Sequence, residues 1–471
     1  MNHSAPAKAP ELRLCLMQQA IVEAKHNHTS MDKEKLRKLQ GLLLSAWSDA
    51  RTRTSSFDPA SREPYQILVR PDGIGIVVGE TGIKCLNESV ELIAEDDLLG
   101  KRFSRSRLSS ELHSLLSTIF DIDPANIERE MTLSIASLID GLEKMSVLQW
   151  RVLIPIKNLV LKIPSLEIGR VHFAKFDKAE YDGTLTRLQK INESTTSPES
   201  VKKGMMETVT DLVSKTYLGR IVAAATVEAA DDNQALAMAE GEIERALNVL
   251  RLYGPLGNNT RMRKVFVGSE GTIFQGRHTA LCFAGERFFL PWRITGYLFD
   301  YEIDSNTLAL MNKFSLQRLS EILRKGTKER TGLERLLVTA IDFYGRGMNE
   351  PSPRNAYINF FISLESLLLK KGEPRSLLAE RVALVVGKGE KTRTSLFEQT
   401  RGAYRIRSDI VHHGFDDVTE DDVWLISAIG FQVIVRLIPI TVQVNDIGQL
   451  ITMCTKSKFG GPALGETSSV K

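Results

Sequence analysis

Cysteine is scarce in this sequence, and the four that occur, Cys15, Cys85, Cys282 and Cys454, lie far apart with no C-x-x-C pair. That distribution argues against a zinc knuckle or a disulfide framework and reads as buried free thiols. The opening residues, M-N-H-S-A-P-A-K-A-P-E, lack the apolar core of a secretory signal. No uninterrupted apolar run approaches the roughly 18 residues that span a bilayer. A cytosolic protein with no membrane partner is the expectation. An excess of one charge is missing too, because 61 Lys and Arg against 58 Asp and Glu leave a formal net charge of +3. Any basic surface for a nucleic acid must therefore be local. A phosphate-binding loop is also lacking: G-K-G-E-K (Gly387 to Lys391) fails the G-x-x-x-x-G-K-[ST] spacing, and no strand precedes it. His26 and His28 read as loop histidines, and no set of His, Asp or Cys has metal-ligand spacing, so no cofactor is expected.

What is present is an ordinary globular composition, 42% hydrophobic and 25% charged over 471 residues. At roughly 100 to 200 residues per domain, that length implies two to four domains. Residues 1–148 read as a helical region with a small β segment. Leu12 to Ala50 has mostly helical spacing, Tyr65 to Glu95 is strand-like, and helical spacing returns from Leu108 to Ser146. The basic run K-R-F-S-R-S-R (Lys101 to Arg107) reads as a solvated linker rather than a binding patch. Residues 149–304 form an α+β middle, a candidate sensor or regulatory domain. Its strands are at Val152 to Pro164, Gly169 to Phe176 and Ile221 to Ala229, and shorter β-prone pieces follow a capped helix that ends in A-L-N-V-L-R-L-Y-G. Residues 305–445 are all-α, and 446–471 read as a disordered tail. The fold class is thus α+β, a mixed α/β first half followed by a helical bundle. No internal repeat is visible.

Six helices divide the all-α part, near Thr307 to Arg324, Gly332 to Tyr344, Pro353 to Lys371, Ser376 to Val386, Arg393 to His413 and Glu420 to Leu437. The last opens on T-E-D-D, close to a capping box. The fifth ends in Y-R-I-R-S-D-I-V-H-H-G (Tyr404 to Gly414), where Arg401, Arg405 and Arg407 lead into His412 and His413.

Together with F-F-I-S-L-E-S-L-L-L (Phe360 to Leu369) and S-L-L-A-E-R-V-A-L-V-V (Ser376 to Val386), that ending resembles the HEPN superfamily, and especially its Apea-like branch. The family pattern is an L-E-x-L-L helix, a helix with L-x-x-R-x-A, and a Y-x-x-R-S-x-I-V-H-G ending. Its signature is an arginine, four to six residues, then a histidine. Arg407 and His412 fit with four between, and Arg405 and His412 fit with six. The chain departs from the pattern by inserting His413 before the glycine. The resemblance covers about 140 of the 471 residues. It implies a HEPN-type bundle acting as a metal-independent endoribonuclease, in which a ribose 2′-hydroxyl attacks the adjacent phosphate and leaves a 2′,3′-cyclic phosphate. It further implies an RNA substrate, a homodimer, and a role as a toxin or antiphage defence effector with an antitoxin or phage-derived trigger. The alternative is a noncatalytic RNA-binding or dimerisation module of the same family.

The residue types suit that chemistry. An imidazole with an ordinary pKa near 6.5 holds both proton states near neutrality. A guanidinium meets two phosphate oxygens with parallel hydrogen bonds, which a lysine does not. His412 and Arg407 are accordingly the catalytic candidates, with Glu365, Tyr404, Arg405, Ser408 and His413 as possible supports. Alanine at Arg407 or His412 is expected to abolish cleavage with little loss of stability. Geometry restrains this reading, because positions five apart on a helix point about 140° away from each other. Either the helix frays before Gly414, or a second copy completes the cleft. Packing offers a different account, in which Arg407 pairs with Glu365 or Glu380 and the histidines sit at a helix end favoured by the dipole.

Overall fold

The structure is a computed structural model that describes residues 31–55, 64–70, 73–194, 196–256, 266–269, 276–279, 282–284, 287–289, 292–295, 300–374, 376–414, 417–460 and 464. Cys15, His26, His28 and the N-terminal part of the expected first helix lie outside these residues. Predominantly helical with small sheets, the fold is mixed α+β. Its chain divides into two compact units, Met1–Trp150 with Val227–Ala239, and Arg151–Thr226 with Glu240–Lys471.

The first described helix of the first unit is α1 (Lys33–Ser55), whose buried Leu36, Leu39, Leu43, Ala46, Trp47 and Ala50 recur at three- and four-residue spacing. Strands β1 (Tyr65–Val69) and β2 (Gly75–Gly79) form an antiparallel hairpin. Gly73, at φ 83, closes it by donating its N–H to the Arg70 carbonyl at 2.9 Å. The strand-like reading to Glu95 fails beyond Gly79, because Glu80–Ala94 is a helix, α2. Leu86, Val90 and Ile93 bury one of its faces, and Glu80 favours its N-terminus. After the short α3 (Leu99–Arg102), two helices, α4 (Arg105–Ile119) and α5 (Ile127–Lys144), replace the single helical stretch expected up to Ser146. Asp123 and Pro124 fall in the turn between them. In the basic run, Arg105 makes a two-pronged bond to Glu91 at 2.6 and 2.8 Å, Arg107 pairs with Glu111, and Arg102 donates to the Glu143 and Met145 carbonyls. Each of these three arginines has a partner within the unit, and the run is not the linker expected, because it lies on α3 and the start of α4 with only Phe103 and Ser104 between them.

A five-stranded sheet, most of whose residues belong to the second unit, runs in the order β5-β6-β7-β3-β8, built from β3 (Leu148–Lys157), β5 (Ser165–Ile168), β6 (Val171–Lys175), β7 (Ile221–Ala229) and β8 (Gly268–Ser269). Two helices, α6 (Lys178–Ser194) and α7 (Glu199–Thr216), fill the connection between β6 and β7, and α8 (Asp232–Tyr253) follows β7. Strand β4 (Leu159–Leu161) pairs in parallel with β13 (Tyr301–Ile303), and β9 (Gly276–Thr279), β10 (Cys282–Ala284), β11 (Arg287–Phe289) and β12 (Trp292–Thr295) form two small antiparallel pairs.

Eight helices follow: α9 (Ser305–Lys313), α10 (Leu316–Arg324), α11 (Gly332–Asn349), α12 (Pro353–Leu368), α13 (Leu377–Val386), α14 (Glu390–His413), α15 (Glu420–Ile440) and α16 (Ile447–Lys458). The first helix expected in this part is two, since Ser315 adopts φ 69 and the Phe314 carbonyl accepts the Tyr253 phenol at 2.8 Å. Capping boxes open α11 (Thr331 with Glu334) and α15 (Thr419 with Asp422). Gly345 and Gly347 let α11 approach its neighbours closely, because a Cβ at Gly345 would lie 2.2 Å from Asn248 and one at Gly347 2.8 Å from the Phe360 ring. By length and mean hydropathy of 2.0, α15 alone among the described helices could cross a membrane. Yet 56% of that window is buried, and it packs as the central core helix against Tyr344 and its neighbours.

No unit boundary falls at residue 304. The expected separation of 149–304 from 305–445 is bridged by the β4–β13 pairing, by the Gly169 N–H donating to Ser320 Oγ at 2.8 Å, and by the Tyr253–Phe314 bond. The tail reading also needs correction. Asp446 caps α16 by accepting from the Gln449 N–H, and Leu450 and Cys454 are buried one turn apart, so 447–458 is ordered helix. Burial holds the Cys454 thiol up at about 11.

Candidate functional site

Helix α14 buries a stripe of Leu396, Thr400, Ala403, Arg407 and Ile410, spaced by three and four residues. Arg407 therefore belongs to the packed face of its helix. It is 8% exposed, and its Nη2 lies 3.6 Å from Glu365 Oε2 on α12. That distance is an ion pair but too long for a hydrogen bond. The second terminal nitrogen, Nη1, is buried with no hydrogen-bond partner.

A ladder of contacts sets this pairing. Tyr357, Phe361 and Glu365 recur every four residues on α12 and meet α14 in step. The Tyr357 phenol donates to the Ala403 carbonyl at 2.7 Å, Phe361 stands edge-on to Tyr404 with centroids 6.3 Å apart, and Glu365 faces Arg407. Burial, aided by Asp422, raises the Tyr357 phenol, which keeps it a donor.

The histidines sit elsewhere. Helix α14 continues intact through His413 and ends on Gly414, whose φ of 67 and N–H bond to the Asp409 carbonyl make a left-handed cap. His412 and His413 are exposed in the last turn. Within one chain, then, the helix does not fray, and Arg407 and His412 point apart. Of the other candidates, Tyr404 and Ser408 are half-buried and Arg405 is exposed. Arg401 pairs with Glu398 at 3.0 Å. Glu380 bonds Lys458 at 2.9 Å rather than Arg407. Among the described residues, no three His, Cys, Asp or Glu side chains converge as a metal site.

Sequence reasoning passed over Arg381, the arginine of the L-x-x-R-x-A segment. It is 6% exposed, donates to the Leu368 carbonyl at the end of α12, and grips Glu373 with both terminal nitrogens at 2.5 and 2.8 Å. This fork holds the Glu373 carboxyl down at about 2. A second network also escaped notice. Arg251, fully buried, bonds Asn248, Glu244 and the Val267 carbonyl, while Asn248 reaches Asp342 on α11. The run A-L-N-V-L-R-L-Y contains both Asn248 and Arg251, but their partners are remote in sequence.

Compared with known proteins, the chain matches no family model, no curated protein and no solved structure.

Proposed function

We propose that the helices of residues 305–445 form a HEPN-type module that cleaves RNA without a metal, with His412 moving the proton and Arg407 meeting the phosphate. The observation that carries this reading is the buried Arg407 guanidinium, held loosely at 3.6 Å by Glu365 and with Nη1 unsatisfied. A buried donor without an acceptor is costly, and a phosphate oxygen is an acceptor that would satisfy it. The three segments that carry the resemblance lie on α12, α13 and α14, which pack together.

In the proposed reaction the ribose 2′-oxygen loses its proton to a base and bonds to the adjacent phosphorus. The bond from phosphorus to the 5′-oxygen breaks, and that oxygen takes a proton from an acid, leaving a 2′,3′-cyclic phosphate and a free 5′-hydroxyl. Imidazoles serve both steps, and a guanidinium offsets the charge that builds on the phosphate. Because Arg407 and His412 diverge within one chain, the complete cleft is assigned to a homodimer. Val411, 48% exposed beside His412, and Trp424, 51% exposed in the first turns of α15, offer apolar surface to a second copy. The setting proposed is cytoplasmic defence, as a toxin or antiphage effector, with the first unit and the sheet answering an antitoxin or phage-derived trigger.

RNA cleavage by the purified chain in EDTA tests the reading. Activity that His412→Ala and Arg407→Ala each abolish, and that lysine in place of Arg407 does not retain, is the expected result, and cleavage that requires added magnesium overturns it. A noncatalytic RNA-binding or dimerisation module is the second reading. It is favoured by the place of Arg407 on the packed stripe, which accounts for that residue without any substrate. Binding of RNA with no cleavage by any chain would select it.

A further inference from the structure

A groove of about 850 Å³ opens between the α9–α10 junction, the α13–α14 turn and the second half of α15. Three cations line it, Lys313, Lys388 and Arg436, and no carboxylate does. Among the described residues none of the three has an ion pair or side-chain hydrogen bond, although most arginines of this unit are engaged. Three uncompensated charges in one concavity raise the local concentration of anions, and Arg436 can meet a phosphate with its fork.

The groove also has an apolar side that an inorganic ion would not use. Phe314 and Phe431 meet edge to face there with centroids 5.7 Å apart. Pro439 has no N–H, so the Val435 carbonyl lacks its helical donor, and both residues line the groove. A flat ring against the phenylalanines with an amine toward that carbonyl would use every feature, and the volume lies within the roughly 300 to 1,000 Å³ of ligand pockets.

We propose that this groove binds a nucleotide, with phosphate on Lys313, Lys388 and Arg436 and the base against Phe314 and Phe431. The proposal is independent of the nuclease reading, since none of these residues belongs to the Arg407–His412 end of α14. A nucleotide can arrive free or as one residue of a single-stranded RNA. The test uses the full chain carrying His412→Ala, in EDTA, so that no RNA is consumed. Calorimetric titrations with ATP and with a short unstructured oligoribonucleotide distinguish the two sources. In either case Lys313→Glu with Lys388→Glu, both at exposed positions, is expected to weaken binding tenfold or more. Lys144→Glu, on α5, serves as the charge control, and circular dichroism checks that each variant is folded. Saturable ATP binding assigns a free nucleotide, and binding of the oligonucleotide alone assigns a residue within a strand. No saturation by either below about 1 mM, or an affinity unchanged in the double variant, overturns the proposal.

Discussion

His412 and His413 place two imidazoles at one helix end, and successive residues leave a helix about 100° apart. Only one of them can face a given phosphate. The I-V-H placement selects His412, so His413→Ala is expected to keep most RNA cleavage while His412→Ala loses it. The reverse result would mean that the register is shifted by one. Both side chains are exposed, so neither change should move stability by more than about 0.5 kcal/mol. Arg407 differs, and here the expectation of little stability loss is corrected. Removing a side chain that is 8% exposed takes away the cation beside Glu365 and leaves a gap in the α14 stripe. Arg407→Ala is expected to cost about 1–3 kcal/mol, and Glu365→Ala in the same chain should be less than additive with it. Urea titrations of the two single variants and the double variant measure that coupling, and full additivity would show that the 3.6 Å approach has no energetic content. Cleavage by Arg407→Ala then has to be assayed well below its melting temperature, so that lost chemistry is not confused with lost fold.

Arg381 works at the scale of elements, joining the end of α12 to the loop ahead of α13 through the Leu368 carbonyl and Glu373. Arg381→Ala takes the donor from the Leu368 carbonyl and leaves Glu373 with the Lys370 N–H, and should cost about 2–4 kcal/mol, read as a lower melting temperature. A pH dependence follows as well. The folded carboxyl of Glu373 titrates at about 2 against an ordinary 4.5, so its contribution is complete above about pH 4.5 and is lost as pH falls toward 2. Acid unfolding of the wild type should therefore show a slope across that window which Arg381→Ala flattens; equal slopes would remove the ion pair as a source of stability. Helices α11, α12 and α15 were legible in the sequence because apolar spacing agreed with the Thr331, Ser352 and Thr419 caps that open them. The pairing of Arg407 with Glu365 was offered by the sequence, but its place on the buried stripe from Leu396 was not drawn from it. The hairpin of α6 and α7 was not legible, because these helices bury only Tyr181, Asn192 and Val213 and show no apolar face to count. Nor was the role of Arg381, since its partner Glu373 sits in a loop whose path no periodicity predicts. Helix α2 was hidden by the β-rich run before it, and α16 by the glycine-rich residues after it.

At the scale of the whole molecule, most of the sheet and the helical region from 305 onward share one compact unit, so a fragment starting at 305 would lose Gly169 and Tyr253 and expose the surfaces of Ser320 and Phe314 that they cover. Residues 305–471 alone should be poorly soluble or molten by circular dichroism and near-ultraviolet spectra, and a cooperative melt matching the full chain would refute this. Assembly is the larger question. Helix α14 runs unbroken to the Gly414 cap, so fraying does not bring Arg407 and His412 together, and the proposed nuclease would need a second copy to complete its cleft. Mixing inactive chains tests it directly. In a heterodimer of Arg407→Ala with His412→Ala, one of two composite sites receives both intact groups if each site draws its arginine and histidine from different chains. Roughly half the wild-type activity per dimer is then expected, against none from either variant alone. Should the mixture stay inactive while sedimentation shows that heterodimers have formed, each site takes both groups from one chain. Sedimentation of a wild-type monomer that is fully active at assay concentration would end the dimer proposal, and with it the shared cleft.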